Sequence, residues 1–309
     1  MRVLVAINAY NEEARSTSFI LRSFFDSLGI ESDQVYSPDL VAGAKLGDLV
    51  SGMSPRDYEL AVVLGGDGTI LRVAHLFAGC ALPILGINFG NFGFLANSSE
   101  PGVMRIVEET LAGNVVIEQR TNLSIDVYCD AEYARQEEGW KAVPKRSASD
   151  VLACDVPATS TRTLFALNEV SLHRGASGTI FEFGLMVAGD EIASIRSDGI
   201  IVASATGSTG YALSAGGPVV APGHRGLVVT PIAPHTLRSR AIVTGPGDVV
   251  EIAVAPSRDG AGCTLCIDGE VIPFEEPVSR IVARPGEVPT SLVRYGDKGF
   301  YRHVSESFF

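Results

Sequence analysis

With 309 residues, 46% hydrophobic and 19% charged, the chain has the length and composition of a two-domain globular protein with a substantial core, which excludes disorder as its main state. Its 36 acidic and 24 basic residues give a net charge of -12, which argues against general binding to nucleic acid or to an anionic membrane surface. That charge does not exclude a phosphorylated small molecule, because backbone N–H groups at a helix N-terminus and a bound cation can hold one.

The first third alternates strand and helix. "RVLVAI" is a short strand, "EEARSTSFILRSFFDSLG" carries apolar residues at helical spacing and stops at Gly29, and "QVYS" before Pro38 is a second strand. "YELAVVL" leads into the glycine loop "GGDGT" and a helix whose Ile70, Val73, Ala74 and Phe77 share one face. "LPILGIN" is another buried strand, and "PGVMRIVEETLAG" a helix ending at Gly113. Such alternation predicts an α/β domain with a parallel, doubly wound sheet. From about residue 116 the pattern turns to strands split by Gly, Pro and Asp: "VVIEQRTNLSIDVY", "TLFALNEVSLHR", "IFEFGLMVAGDEIASIRSDGIIVASA", "IVTGPGDVVEIAVAP" and "GCTLCIDGEVIP". A mainly β domain over 116–287 is expected. A polar stretch at about 130–162, with the sole tryptophan Trp140, reads as a surface insertion.

The longest apolar runs fall well short of the roughly 18 to 20 residues that span a bilayer. No basic and apolar leader opens the chain, and five scattered cysteines fit a reducing compartment, so a cytoplasmic protein is expected. Cys263 and Cys266 form a CxxC, but on a strand positions three apart face opposite ways, and no second pair of ligands accompanies them.

In "LGGDGT" a buried strand enters a Gly-rich turn and then a helix, gathering backbone N–H groups and a positive helix end where a phosphate could sit. It is neither a P-loop, for no Lys follows, nor a dinucleotide fingerprint, for Leu71 stands where the third glycine would be. On spacing alone Asp67 is as well suited to capping the helix as to catalysis. A carboxylate beside phosphates is repelled unless a metal or a hydroxyl proton accounts for its charge, and that cost favours catalysis. A second loop, "LGINFGNFGFLANS", follows the next strand, at the sheet edge where open α/β folds bind ligands. In "ALNEVSLHR" the adjacent Asn168 and Glu169 would face opposite sides of a strand, one of them buried without reason unless the strand bends or a ligand pairs with it. "RSDGIIVASATGSTGYALSAGGP" reads as a folded loop with many small donors, suited to ribose and phosphate oxygens.

In order, "GGDGT", "GINFGNFGFLA", "LNEVSLHR", "SDGIIVASATGSTGYALSAGGP", "PHTLRSR" and "IDGE" resemble the NAD kinases over about residues 60–275. "GGDGT" alone is shared with diacylglycerol and sphingosine kinases, whereas the Asn-Glu pair with "TGSTGY" is more specific. The resemblance implies an α/β domain over 1–115, onto which 288–309 packs back, a β-rich NAD-binding domain over 116–287, an active site in the cleft between them, and a homodimer or homotetramer. It also implies γ-phosphoryl transfer from ATP, or polyphosphate, to the adenosine 2′-hydroxyl of NAD, giving NADP. Asp67 would orient that hydroxyl and accept its proton. Gly65, Gly66, Gly68 and Thr69 would face phosphates, with Arg72 adding a positive charge. Asn168 and Glu169 would hold adenosine. Arg196, Asp198 and the run Thr209, Gly210, Tyr211, Ala212, Leu213 and Ser214 would complete the NAD pocket, Tyr211 by stacking, with Glu270 nearby. Mg2+ is expected with ATP, and no protein ligand for it is assigned.

Departures from the family pattern are Asn91 for a basic residue, Gly210 for Ala, and Ser204-Ala205 for Thr-Pro. Two other readings stand beside this one: a lipid kinase of the same superfamily, which would need an apolar chute, and a non-catalytic NAD(P)(H) sensor. His75, His173 and His235 have no metal-spaced partners, although His235 matches a family position, and Ser208 and Ser214 lack a His-Asp signature for acyl transfer.

Overall fold

The computed structural model describes residues 1–41, 43–90, 93–129, 161–175, 181–235, 238–255, 262–296 and 299–309. Most of the insertion with Trp140, as well as Asn91 and Cys154, lies outside the described residues. Two compact units divide the chain: Met1–Arg120 together with Val288–Phe309, and Thr121–Glu287.

The first unit opens with β1 (Arg2–Ile7), α1 (Glu12–Ser27), β2 (Glu31–Tyr36) and the short α2 (Leu46–Leu49). The side chain of Asn11 caps α1 by accepting from the N–H of Ala14, and Gly29, at φ +68°, supplies the left-handed residue that ends it. Then come β3 (Leu60–Leu64), α3 (Asp67–Leu76), β4 (Pro83–Asn88), β5 (Asn97–Ser98), α4 (Val103–Leu111) and β6 (Val116–Arg120).

The second unit contains β7 (Leu123–Cys129), β8 (Arg162–Ala166), β9 (Glu169–Arg174), β10 (Phe181–Val187), β11 (Asp190–Ser197) and β12 (Gly199–Ala203). After the one-turn helix α5 (Tyr211–Ser214) follow β13 (Val228–Ile232), β14 (Ile242–Val243), β15 (Val250–Val254), β16 (Cys263–Ile267), β17 (Glu270–Ile272) and β18 (Val278–Pro285). The chain then returns to the first unit with β19 (Thr290–Arg294) and α6 (Phe300–Phe308).

The sheet of the first unit has the order β2-β1-β3-β4-β19-β6, with β5 paired to β4. Its pairings are parallel except for β6, which runs antiparallel to β19. Alternation along the strands sends Val3, Val5, Val62, Leu64 and Ile87 into one core with Leu21 and Phe25 of α1 and Ile106 of α4. Gly86, of opposite parity, faces α3: a Cβ there would lie 2.2 Å from Ile70 Cδ1. Helices therefore cover both faces, which is the doubly wound arrangement.

Two antiparallel six-stranded sheets form the second unit, ordered β11-β10-β15-β18-β7-β8 and β14-β13-β12-β9-β16-β17. Their inward residues, among them Phe183, Ile252 and Ile281 from one sheet and Val170, Leu172 and Val202 from the other, make one core.

Two stretches expected as single strands are each divided. "VVIEQRTNLSIDVY" breaks at Thr121-Asn122, so that its first half, β6, closes the sheet of the first unit and its second half, β7, belongs to the second. The first segment of the first unit accordingly runs to Arg120, so that it includes β6. "TLFALNEVSLHR" breaks at Leu167-Asn168, between β8 in one sheet and β9 in the other.

Candidate active site

Five buried residues of β3 deliver the chain into the first glycine loop. The helix cap here is Gly66, with no side chain capping the turn, and Asp67 is the first helical residue. Asp67 is thus not the cap that spacing allowed. Its carboxylate reaches across to the second glycine loop, where Oδ2 accepts from the N–H of Phe94 at 2.8 Å and Oδ1 from those of Leu95 and Ala96 at 3.2 and 3.3 Å. Only a glycine fits at 93, since a Cβ would lie 2.3–2.4 Å from the Asp67 carboxyl atoms. The two loops expected to share an edge are joined by this one side chain.

Two of the expected phosphate donors, the N–H groups of Gly65 and Thr69, are consumed within the fold. The N–H of Gly65 donates to the Ile87 carbonyl at 2.9 Å, continuing the β3–β4 ladder. The N–H of Thr69 donates to the Gly66 carbonyl, and its hydroxyl is buried beside Gly65. Arg72 donates from Nη1 to the Ser37 carbonyl at 3.2 Å. What remains for an anion at this helix end is the first turn at Asp67 and Gly68, which no side chain caps.

Behind the second loop stands a cluster of charges. Arg294 donates from Nη1 to the Leu95 carbonyl at 2.9 Å and from Nη2 to the Phe94 carbonyl. Its Nε donates to Glu118 Oε2 at 2.8 Å, an oxygen that also accepts from Nη2 of the buried Arg120 at 2.8 Å. Burial would raise the Glu118 carboxyl, but the two guanidinium groups outweigh it and hold the acid below its ordinary range. Burial and the charge of Arg294 pull Arg120 down, opposed by Glu118 and by the field of Asp67. These side chains line a cavity of about 310 Å3 with Gly93, Phe94, Phe300 and His303, all within the first unit.

In the second unit the Asn168-Glu169 pair sits on the break between β8 and β9. Its backbone is held by Asp268, whose carboxylate accepts from the N–H groups of Leu167, Asn168 and Glu169 at 2.9, 2.8 and 3.0 Å. Asp268 and Gly269 turn the β16–β17 hairpin with φ of +47° and +83°, the two positive values of a type I′ turn. Sequence reasoning passed over Asp268; the Asp-Gly dipeptide between alternating strand residues in "CIDGEV" is the signal that marks it. From the other side Ser204 donates from N to the Asn168 carbonyl at 2.8 Å and from Oγ to the Leu167 carbonyl at 2.6 Å.

With the backbone so fixed, the side chains carry buried atoms that nothing satisfies: among the described residues Asn168 Oδ1 and Glu169 Oε2 have no hydrogen-bond partner. Burial, reinforced by the Asp268 charge, pushes the Glu169 carboxyl up to about 8. A folded-state value above that of the unfolded chain means the native state binds more protons between about 4.5 and 8, so stability falls as pH rises through that window. In ligand-free protein, thermal unfolding of wild type compared with Glu169→Gln should show the wild type losing a few kcal/mol relative to the variant between pH 5 and 8.5. A pH-independent difference would contradict this environment for Glu169.

Period-two geometry puts Glu169, Ser171 and His173 on one face of β9. His173, for which no metal partner was expected, is satisfied within the fold: its Nε2 lies 2.9 Å from Ser171 Oγ, and its ring stacks on Tyr211 at 5.7 Å and 20°. Burial lowers His173, which keeps the imidazole neutral near pH 7, and burial likewise raises Tyr211. Gly210 stands beside the pair, where a Cβ would lie 3.5 Å from Glu169 Oε2 and 3.8 Å from Asn168 Nδ2.

Thr209 donates to the Thr206 carbonyl at 3.2 Å, Ala212 of α5 is buried against Ile201, Ala203 and Val228, and Leu213 and Ser214 lie further along that turn. Arg196 and Asp198 flank Ser197 at the end of β11, Asp198 pairing with Arg174 at 3.3 Å, and the His235 N–H bonds to the Arg196 carbonyl. Glu270 begins β17, paired with Ile267, directly after the Asp268-Gly269 turn. Cys263 packs on the core while Cys266, three residues on, faces away beside Ser171; burial pushes the first thiol up to about 12 and raises the second. Among the described residues no group of three His, Cys, Asp or Glu side chains could hold a metal.

Two family models match this chain: ATP-NAD kinase N-terminal domain over residues 29–115 and ATP-NAD kinase C-terminal domain over 167–294. The NAD kinase of Gemmatimonas aurantiaca is 32% identical over 287 residues, covering 92% of this chain and 89% of that protein. That of Nitrosomonas eutropha is 36% identical over 199 residues, a match that spans 64% of this chain but only 58% of the relative's own length. In three dimensions the fold is similar to that of yeast NADH kinase, solved in complex with NADH, with a TM-score of 0.78 at 19% identity, over 99% of this chain and 86% of that one.

Proposed function

Given that the chain belongs to the NAD kinase family, we propose that it transfers the γ-phosphoryl group of MgATP to the 2′-hydroxyl of the adenosine ribose of NAD, giving NADP. The observation that carries this reading is the pair of unsatisfied buried polar atoms, Asn168 Oδ1 and Glu169 Oε2, on a backbone pinned from two sides. Leaving such atoms unpaired costs roughly 1–3 kcal/mol each, and a ligand rich in hydroxyl and amino donors removes that cost.

A ribose hydroxyl is a poor nucleophile at neutral pH. Asp67 accepts its proton while the new O–P bond forms and the bond from the γ-phosphorus to the bridging oxygen breaks, releasing ADP. The three loop N–H groups hold the Asp67 carboxylate in one orientation, and the uncapped first turn of α3 faces the phosphates with a positive dipole end. The magnesium ion arrives on the ATP phosphates and needs few protein ligands there. Tyr211, backed by His173, offers a stacking surface for a ring of NAD. A cytoplasmic homodimer or homotetramer belongs to the same reading, and light scattering on the purified chain measures the assembly.

The deciding assay crosses NAD and NADH against ATP and polyphosphate and measures NADP and NADPH. Diacylglycerol replaces the acceptor in a parallel arm; phosphorylation of the lipid alone would overturn the proposal. One observation favours a second reading. Because Asp67 ties two loops together, its carboxylate has a use without catalysis, which supports a nucleotide sensor. Tight NAD binding in calorimetry with no product from any donor would establish the sensor instead.

A further inference from the structure

We propose that Arg294, contributed by β19, is a positioning residue for Asp67, acting through the backbone of Phe94, Leu95 and Ala96. The proposal rests on the kinase reading above.

These three residues form a strip whose two polar edges are held by opposite charges. On one edge their N–H groups donate to the Asp67 carboxylate at 2.8, 3.2 and 3.3 Å. On the other edge the Phe94 and Leu95 carbonyls accept from the Arg294 guanidinium, which also lies 3.4 Å from the carbonyl of Ala96. A cation on the carbonyl side of a peptide and an anion on its N–H side polarise it in the same sense, so each strengthens the hydrogen bond the other makes. The planar fork of Arg294 is in turn fixed by Glu118, whose Oε2 it shares with Arg120.

The same C-terminal segment fixes the strip in two further ways. Phe94 packs its ring against His303 at 4.2 Å and Phe308 at 5.8 Å, both on α6. Asn97, immediately after the strip, donates to the carbonyls of Gly86 and Val293 at 2.9 Å and accepts from the Tyr295 N–H at 2.9 Å, binding the loop to β4 and β19 where their ladder is short. Residues roughly 200 positions from Phe94 in the chain thus set where the Asp67 oxygens point. An error of about 1 Å in a reacting group costs on the order of 10²-fold in rate, which gives this support chemical weight.

The test uses the full chain as wild type, Arg294→Ala, Arg294→Lys, Asp67→Asn, and the Asp67→Asn/Arg294→Ala double variant, all compared for kcat, KM for NAD and melting temperature. Arg294→Ala should lower kcat about 10- to 100-fold while KM for NAD stays within about threefold. Arg294→Lys, with one ammonium in place of the fork, should recover part of the loss. In the Asp67→Asn background the same Arg294→Ala change should cost less than about threefold, because a residue acting through Asp67 has nothing left to position. An unchanged kcat, parallel losses in kcat and KM, or full additivity in the double variant would overturn the proposal. If Arg294→Ala fails to fold by circular dichroism, Arg294→Lys and Glu118→Gln carry the same measurements. Absence of turnover by the wild type would instead overturn the kinase reading, and this proposal with it.

Discussion

Asp67→Asn will lower NADP formation by about 10²-fold or more, the usual cost of removing a general base. The substitution keeps the size of the side chain and one carbonyl oxygen, so much of the grip on the Phe94–Ala96 strip can persist. It puts an amide NH2 where either the Phe94 N–H or the Leu95 and Ala96 N–H groups donate, and it removes the charge at the N-terminus of α3. A drop in melting temperature is therefore expected as well, with the helix-end charge alone worth roughly 0.3–1 kcal/mol. The two effects separate by assaying well below the melting point of the variant and by measuring NAD binding in parallel. Retention of more than about a tenth of the wild-type rate would show that Asp67 is an architectural tie and not the base.

Gly207→Ala should be nearly as damaging, by a wholly steric route. A Cβ at 207 would sit 2.2 Å from the carbonyl oxygen of Asn168, 2.6 Å from its carbonyl carbon and 2.9 Å from its Cα. All three are backbone atoms, anchored on the far side by Asp268 and Ser204, so they cannot yield as a flexible side chain would. Overpacking of this kind costs about 1–3 kcal/mol, and the displaced Asn168 should raise KM for NAD by about tenfold or more. Gly210→Ala, three residues on, is the control: its Cβ would lie 3.3 Å from the Gly207 carbonyl oxygen and 3.5 Å from Glu169 Oε2, tight but more than 1 Å longer than the 2.2 Å clash at 207, and KM should change by less than about threefold. Equal damage from the two substitutions would mean the effect is one of loop flexibility and not of contact with Asn168.

Much of this was legible in the sequence because it is local. Period 3.6 marked the buried faces of α1 and α3, period two the strands of the second unit, and Gly29 and Gly113 the ends of helices. Where a feature depended on a partner distant in the chain, local pattern was silent. The N–H groups on Asp67 come from residues 27 to 29 positions later, so spacing left a cap and a catalyst equally plausible and missed the tie between loops. Asp268 reaches back about 100 residues to the Asn168-Glu169 pair, and nothing in "IDGE" says where its carboxylate points. Gly65 and Thr69 were given to phosphates because a glycine loop offers many donors; which of them the sheet ladder and the helix consume is a matter of register. "VVIEQRTNLSIDVY" shows the same limit: its alternation runs on through Thr121-Asn122 although its halves join different sheets.

The position of β19 between β4 and β6 has a consequence for how the protein is made. Among the described residues every other strand of that sheet lies within the first 120 positions, yet β6 has no neighbour in it except β19, which is completed only at Arg294. A nascent chain emerging from the ribosome can assemble β1 to β4 early, but β6 must wait, unpaired, through synthesis of the entire β-rich unit. The strip that grips Asp67 waits with it, since Arg294 and α6 follow the β-rich unit in the chain. A chain that stopped before Arg294 would carry a complete "GGDGT" motif without the guanidinium that holds the Phe94 and Leu95 carbonyls.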